Sequence, residues 1–227
     1  MEKELEAKYF INDKDSMRFL LKNIGLECIK SEFLMKRKTF HSITEPGWMR
    51  VRDEGDKTTL TFKQITGKGI NDVNEIEVIV NDFEKASAII NQTSFKEASY
   101  QENYREIWRN NEVEVVIDTW PFLQTYIEIE AKSVDTVKRY SQLLNFDFDK
   151  QAFFGSVDVL YKEQFGIEKQ DFIKIPRIVF NDKILMDILV SGNDSALCEK
   201  RIGIEKDLSR TIGTVNSKIL ANGCVSE

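Results

Sequence analysis

One histidine and three cysteines are all that 227 residues offer in thiol or imidazole ligands. The cysteines Cys28, Cys198 and Cys224 are far apart and odd in number, so they match neither a disulfide framework nor a zinc pattern. A single histidine, His41, all but excludes a histidine-based metal site or catalytic triad. No apolar run is long enough to cross a bilayer, and the N-terminus does not read as a signal peptide. These absences point to a cytoplasmic chain away from membranes. A net charge of −6 argues against a generic nucleic-acid binder. No internal repeat or low-complexity segment is present.

With 41% hydrophobic residues the chain can bury a core, and its 31% charged residues follow a pattern. Strand signals dominate: 2–11, 31–41, 47–53, 57–64, 73–80, 100–109, 112–118 and 124–131. Turn chemistry separates several of them, as in TEPG at 44–47, DEGDK at 53–57, TGKG at 66–69 and RNNE at 109–112. Four helical stretches interleave. One runs from a cap at Asp13 to a stop at Gly25, one begins near Asn81, one at Ser133, and one spans 156–166. This is an α+β arrangement, read as an antiparallel barrel with helices outside. The domain is expected over 1–168. Residues 169–227 read as an irregular apolar segment followed by a polar, helix-prone tail, an extension with no assigned role.

Side chains two apart on a strand share a face. Glu4, Glu6 and Lys8 therefore stand together, with Leu5, Ala7 and Tyr9 opposite. Arg50 pairs with Arg52, Thr61 with Lys63, Glu75 with Glu77, Asn103 with Arg105, and Glu128 with Glu130. Asp118 ends its strand and Arg37 sits within FLMKRKTF. For a single strand, an ordinary amphipathic sheet explains this. For the set, the charges are sorted by strand, and four helices need an apolar surface to cover. Helices outside put the charges inside, where they are costly without water, ions or a ligand. The basic set Lys8, Arg37, Arg50, Arg52, Lys63 and Arg105 suits a polyanion, because guanidinium forks match phosphate oxygens. The carboxylates supply hard oxygen donors suited to Mg²⁺ or Mn²⁺. Together these groups are the equipment of phosphoryl or nucleotidyl transfer.

Glu4-x-Glu6-x-Lys8, then Arg50-x-Arg52, LTFK ending at Lys63, Glu75-x-Glu77, Arg105, Asp118 and Glu128-x-Glu130 resemble, in order, the CYTH superfamily of triphosphate tunnel metalloenzymes. The resemblance covers about residues 1–168, where VDVLYKEQFGI is similar to the family's last helix. It implies an eight-stranded antiparallel tunnel that binds a triphosphate with Mg²⁺ or Mn²⁺. Glu4, Glu6, Asp118, Glu128 and Glu130 would serve the metal. Lys8, Arg37, Arg50, Arg52, Lys63 and Arg105 would grip phosphates, with Lys8, Lys63 and Arg52 catalytic. Glu75 and Glu77 would stand in the tunnel wall.

Two positions depart from the family pattern. Asn103 stands where many members carry lysine, and Phe40 and His41 stand where many carry an aromatic-Asp pair. Trp48 alternates with Arg50 and is the tryptophan placed to stack on a nucleobase. A triphosphatase acting on inorganic, nucleoside or thiamine triphosphate is the first expectation. An adenylate cyclase making cyclic AMP and pyrophosphate is the second, and a non-catalytic triphosphate-binding module the third. The partner is a small-molecule triphosphate, with no nucleic acid or membrane; a homodimer is compatible with the reading.

Overall fold

The computed structural model describes residues 2–191, except Glu4, Ile43, Glu45 and residues 66–72. The TGKG turn, Cys198, Cys224 and the polar tail fall outside that set. Ten strands are described: β1 (Glu2–Lys3), β2 (Glu6–Phe10), β3 (Glu27–His41), β4 (Trp48–Asp53), β5 (Thr58–Ile65), β6 (Val73–Val80), β7 (Lys96–Arg109), β8 (Val113–Thr119), β9 (Tyr126–Ala131) and β10 (Arg177–Ile178). The helices are α1 (Lys14–Asn23), α2 (Phe83–Ile90), α3 (Val134–Leu143), α4 (Phe148–Gln151), α5 (Asp158–Phe165), α6 (Lys169–Phe172) and α7 (Lys183–Ser191).

The strands form one sheet in the order β1-β6-β5-β4-β3-β7-β8-β9-β2, antiparallel throughout, with β10 added parallel to β7. The first ten residues do not form the single strand expected over 2–11. Glu2 pairs with Glu75 on β6, while Glu6–Phe10 pairs with β9. One short run thus spans both edges of the sheet, because leaving either edge unpaired would expose its amides and carbonyls. β3 and β7 begin earlier than expected, at Glu27 and Lys96. They pair with each other along most of their length through three register irregularities, which bend long strands without ending them.

Three apolar clusters hold the sheet. Ala7, Tyr9, Val115, Ile117, Ile127 and Ile129 face Met17 and Leu21 of α1 and Val137 of α3. Phe40 and Val51 face Ala86 and Ile90 of α2. These helices start where the sequence supplies caps. The carboxylates of Asp13 and Asp82 accept from Ser16 N and Lys85 N at 2.7 and 2.8 Å, and Ser133 accepts from Thr136 N at 3.1 Å. The outward faces of β2, β8 and β9 and of β3 and β4 are thereby covered, whereas Ile76 and Val78 on β6 stay exposed; the charged alternates of these strands line the other face.

The third cluster joins Trp120, Leu123 and Tyr126 to Leu160, Tyr161, Phe172, Ile175, Ile178, Leu185 and Leu189. Residues 169–191, whose sequence reads as irregular, therefore contain α6, β10 and α7 and pack on the sheet. Leu185 and Leu189 lie one helical turn apart and are buried together, which fixes α7.

Candidate active site

Inward-facing side chains from β2 to β9 surround a cavity of about 670 Å³. Glu6, Lys8, Arg37, Arg50, Arg52, Lys63, Glu75, Glu77, Arg105, Glu128 and Glu130 all line it. Glu4 lies outside the described residues. Asp118 is fully buried behind Arg105.

The strand registers sort this wall into two halves. On β3 and β4, Arg37 stands directly opposite Arg52. Like charges directly opposite on a sheet oppose folding. Some relief comes from the neighbours. Arg50 reaches Thr61 at 3.2 Å and Glu77 at 3.3 Å, Arg52 reaches Glu54 at 2.6 Å, and Lys63 reaches Glu75 at 3.1 Å. Arg37 donates to Asn103 and lies 4.6 Å over the Trp120 ring. The relief is incomplete: among the described residues, the buried Nε groups of Arg37, Arg50 and Arg52 have no hydrogen-bond partner. Burial, then the charges of Arg50, Arg52 and Arg105, pull the Arg37 pKa well below the ordinary guanidinium value. Burial and Arg50 likewise lower Arg52 to about 10. Guanidinium groups buried beside one another in this way are favoured by a neighbouring negative charge.

The second half is acidic. Glu6 stands opposite Glu130, and Glu130 opposite Glu114, on β2, β9 and β8. Lys8, only 2% exposed, pairs with Glu6 and lies 3.5 Å from Glu128. Burial pushes the Glu128 carboxyl up, but Lys8, Arg105, Lys63 and Arg37 outweigh it and hold it at about 2. The sign follows. A lowered folded pKa adds stability above the unfolded value of about 4.5, lost as pH falls toward about 2. Glu128→Gln is therefore expected to flatten the fall in thermal midpoint between pH 4.5 and 2. A midpoint that falls with the wild-type slope would show that Glu128 is not ionised by its neighbours.

Between the halves, Arg105 grips Asp118 with two parallel bonds of 2.8 and 2.5 Å and reaches Glu128 at 3.0 Å. Asp118 also accepts from Asn103 at 3.1 Å and from the Tyr126 hydroxyl at 3.3 Å. Burial alone disfavours the Arg105 cation, yet Asp118 and Glu128 hold its pKa well above the ordinary value. Burial and the same two carboxylates push the Tyr126 phenol well up. Both Asp118 oxygens are thus engaged by protein donors. No group of three or more acidic, histidine or cysteine side chains converges as a metal cage among the described residues. The donor chemistry nevertheless suits a divalent cation: Glu6, Glu128 and Glu130 present hard oxygens to one cavity, and opposed carboxylates are relieved by a cation.

Alternation also carries residues not singled out from the sequence. Glu114 is two strand positions from Val116 and four from Asp118; Gln101 is four before Arg105; Tyr126 is two before Glu128. Glu114, Gln101 and Tyr126 line the cavity, and the same period of two points to them. Trp120 and residues 155–158 line it from a loop and the start of α5, where no periodicity applies. At Gly47 (φ +91°) a Cβ would lie 2.5 Å from the Lys63 carbonyl, so only glycine lets the chain enter β4 beside β5.

Residues 2–146 match the CYTH domain family. The chain belongs to the CYTH family. Among its relatives is a "putative adenylate cyclase" of Methanocaldococcus jannaschii, 30% identical over 62% of this chain and 83% of that protein. Among solved structures, a conserved hypothetical protein of Pyrococcus furiosus shares the CYTH fold with a TM-score of 0.60 at 20% identity, over 69% of this chain and 99% of that one. A Hippeastrum protein described as a putative adenylyl cyclase that reveals a dominant triphosphatase activity gives 0.50 at 15% identity, over 70% and 95%. In the CYTH chain described here, no helix among the described residues is long and apolar enough to cross a membrane.

Proposed function

We propose that this chain is a metal-dependent triphosphatase that binds a triphosphate in the charged cavity. The observation that carries the reading is the basic half: Arg37 opposed to Arg52, with three buried guanidinium Nε groups unpartnered among the described residues. Such groups cost free energy until phosphate oxygens meet them. Arg37, Arg50, Arg52, Lys63 and Arg105 bind the phosphate chain in this reading. Asp118 and Asn103 orient the two arginines that flank them, Arg105 and Arg37. Lys8 sits between Glu6 and Glu128 and faces a phosphate. Glu6, Glu128 and Glu130, with Glu4, would hold Mg²⁺ or Mn²⁺. That ion supplies further positive charge against the phosphate oxygens as negative charge moves onto the leaving group.

In hydrolysis, water attacks the terminal phosphorus, the bond to the bridging oxygen breaks, and the remaining phosphates leave. Lys63 and Arg52 stabilise the charge that develops. The fold also occurs in the Hippeastrum protein, whose description includes triphosphatase activity. The archaeal relative's name favours a second reading, in which a ribose hydroxyl attacks the α-phosphorus of ATP and pyrophosphate leaves.

One product assay separates the readings. The protein is incubated with tripolyphosphate, ATP or thiamine triphosphate and Mg²⁺ or Mn²⁺, and products are resolved by ion exchange. Metal-dependent orthophosphate release is expected. Cyclic AMP with pyrophosphate would replace the triphosphatase by the cyclase, and binding without product would leave only a receptor.

A further inference from the structure

β6 is bordered unevenly. On one side it pairs with β5 along its whole length, from Val73 opposite Ile65 to Val80 opposite Thr58. On the other side β1 covers only Asn74 and Glu75. Among the described residues, the stretch from Ile76 to Val80 therefore has a strand on one side only. The same stretch is apolar at its surface: Ile76 and Val78 are each 52% exposed and Ile79 is 74% exposed. Helix α2 leaves it uncovered, since the cluster beneath that helix takes in Leu60, Phe62 and Val80 but neither Ile76 nor Val78. Open backbone donors and acceptors flanked by exposed branched side chains are a template for another strand.

Register says which strand fits. A sheet that continues from one chain into the next keeps its two faces only where facing residues belong to the same face. With β6 of a second copy laid antiparallel, Val78 facing Val78 meets this condition. Ile76 then faces Val80, Glu77 faces Ile79, and no charged side chain faces another. Centring the pair on Glu77 sets Glu77 against itself, and centring it on Ile76 sets Glu75 against Glu77. Like charges directly opposite oppose such pairing. Centring it on Ile79 sets Ile76 against Asp82, beyond the strand. Val78 is also the middle of the open stretch. β6 ends at Val80 and Asp82 caps α2, so the second copy's chain leaves the sheet just where β1 begins.

We propose that this chain forms a two-fold symmetric dimer by pairing β6 with β6 of a second copy, centred on Val78. The interface is isologous, so it closes after two copies and hides both open edges. On the outer face, Ile76, Val78 and Val80 of the two copies make one apolar row. On the other face, Glu77, which lines the cavity, gains Ile79 of the second copy as its cross-strand neighbour, so each copy extends the other's cavity wall.

The test is sedimentation velocity of the full chain over a concentration series, for the wild type and Val78→Asp. It is joined to oxidative cross-linking of Val78→Cys and Ile76→Cys, each with Cys28, Cys198 and Cys224 changed to Ser. The wild type is expected to be a reversible dimer. Val78→Asp sets two carboxylates face to face and is expected to stay monomeric, with an unchanged far-UV spectrum because the side chain it replaces is exposed. Val78→Cys is expected to cross-link into a dimer, since facing Cα atoms lie about 5 Å apart. Ile76→Cys is expected not to, since its two copies lie four positions apart, roughly 13 Å. A wild type that is monomeric at every concentration would overturn the pairing, as would a dimer that Val78→Asp leaves intact. Cross-linking at residue 76 as readily as at 78 would overturn the register, and the cross-link alone decides if Val78→Asp does not fold.

Discussion

Arg37→Leu is expected to weaken the proposed triphosphate binding severely and to leave the ligand-free fold at least as stable as the wild type. Arg37 is buried, faces Arg52 across the ladder, and feels Arg50 and Arg105 as well. Truncating one member of a desolvated charge pair with the ligand costs about 2–5 kcal/mol of binding, so affinity should fall about 30-fold or more. Without ligand the balance reverses. Losing the arginine leaves Asn103 Oδ1 short of one donor, at about 1–3 kcal/mol, and removes the stacking on Trp120. Against this, a desolvated cation leaves a crowd of like charges, which returns on the order of several kcal/mol. Thermal melting with and without tripolyphosphate and Mg²⁺ reads both effects. An unchanged or higher midpoint that no longer responds to ligand is expected. A variant that melts many degrees lower and still responds would show that Arg37 is a structural residue.

Asp118→Asn has the opposite signature. Asp118 is 0% exposed and accepts from Arg105, Asn103 and Tyr126. The amide keeps the shape but removes the charge that holds Arg105 and places a donor where acceptors are needed. Leaving one partner of a buried pair uncompensated costs about 3–5 kcal/mol. In a chain of this size that lowers the midpoint by on the order of 10 °C. The loss is expected equally with and without divalent metal, because protein donors already occupy both Asp118 oxygens. A variant of normal stability that needs much more Mg²⁺ would assign Asp118 to the metal instead. Glu130→Gln should separate from it, with a smaller effect on melting and a marked loss of metal-dependent turnover.

The site was legible in the sequence to the extent that it lies on strands. A period of two places Arg50 with Arg52, and Glu128 with Glu130, on a shared face of each strand whatever the pairing. It also fixes which residues the helices cover, since Ala7, Val115 and Ile129 are their out-facing alternates. Pairing is what alternation does not supply. That Arg37 opposes Arg52, and Glu6 opposes Glu130, depends on register, which turns and bulges set over long sequence separations. The division of the first ten residues between two edges is likewise a tertiary outcome. Asp118 shows a different limit: its spacing does not reveal that its carboxylate is paired with Arg105, a contact that depends on the β7–β8 register. The short α6 carries no periodicity, and its burial depends on Trp120 and Tyr126, some fifty residues earlier in the chain.

The most direct test of the charged cavity is calorimetric titration of tripolyphosphate and ATP into wild-type protein and Arg37→Leu, with and without Mg²⁺. The expected result is one site per chain in the wild type, strengthened by the metal and lost in the variant. Equal binding by both proteins, or none by the wild type, would contradict an anion site built by the opposed arginines.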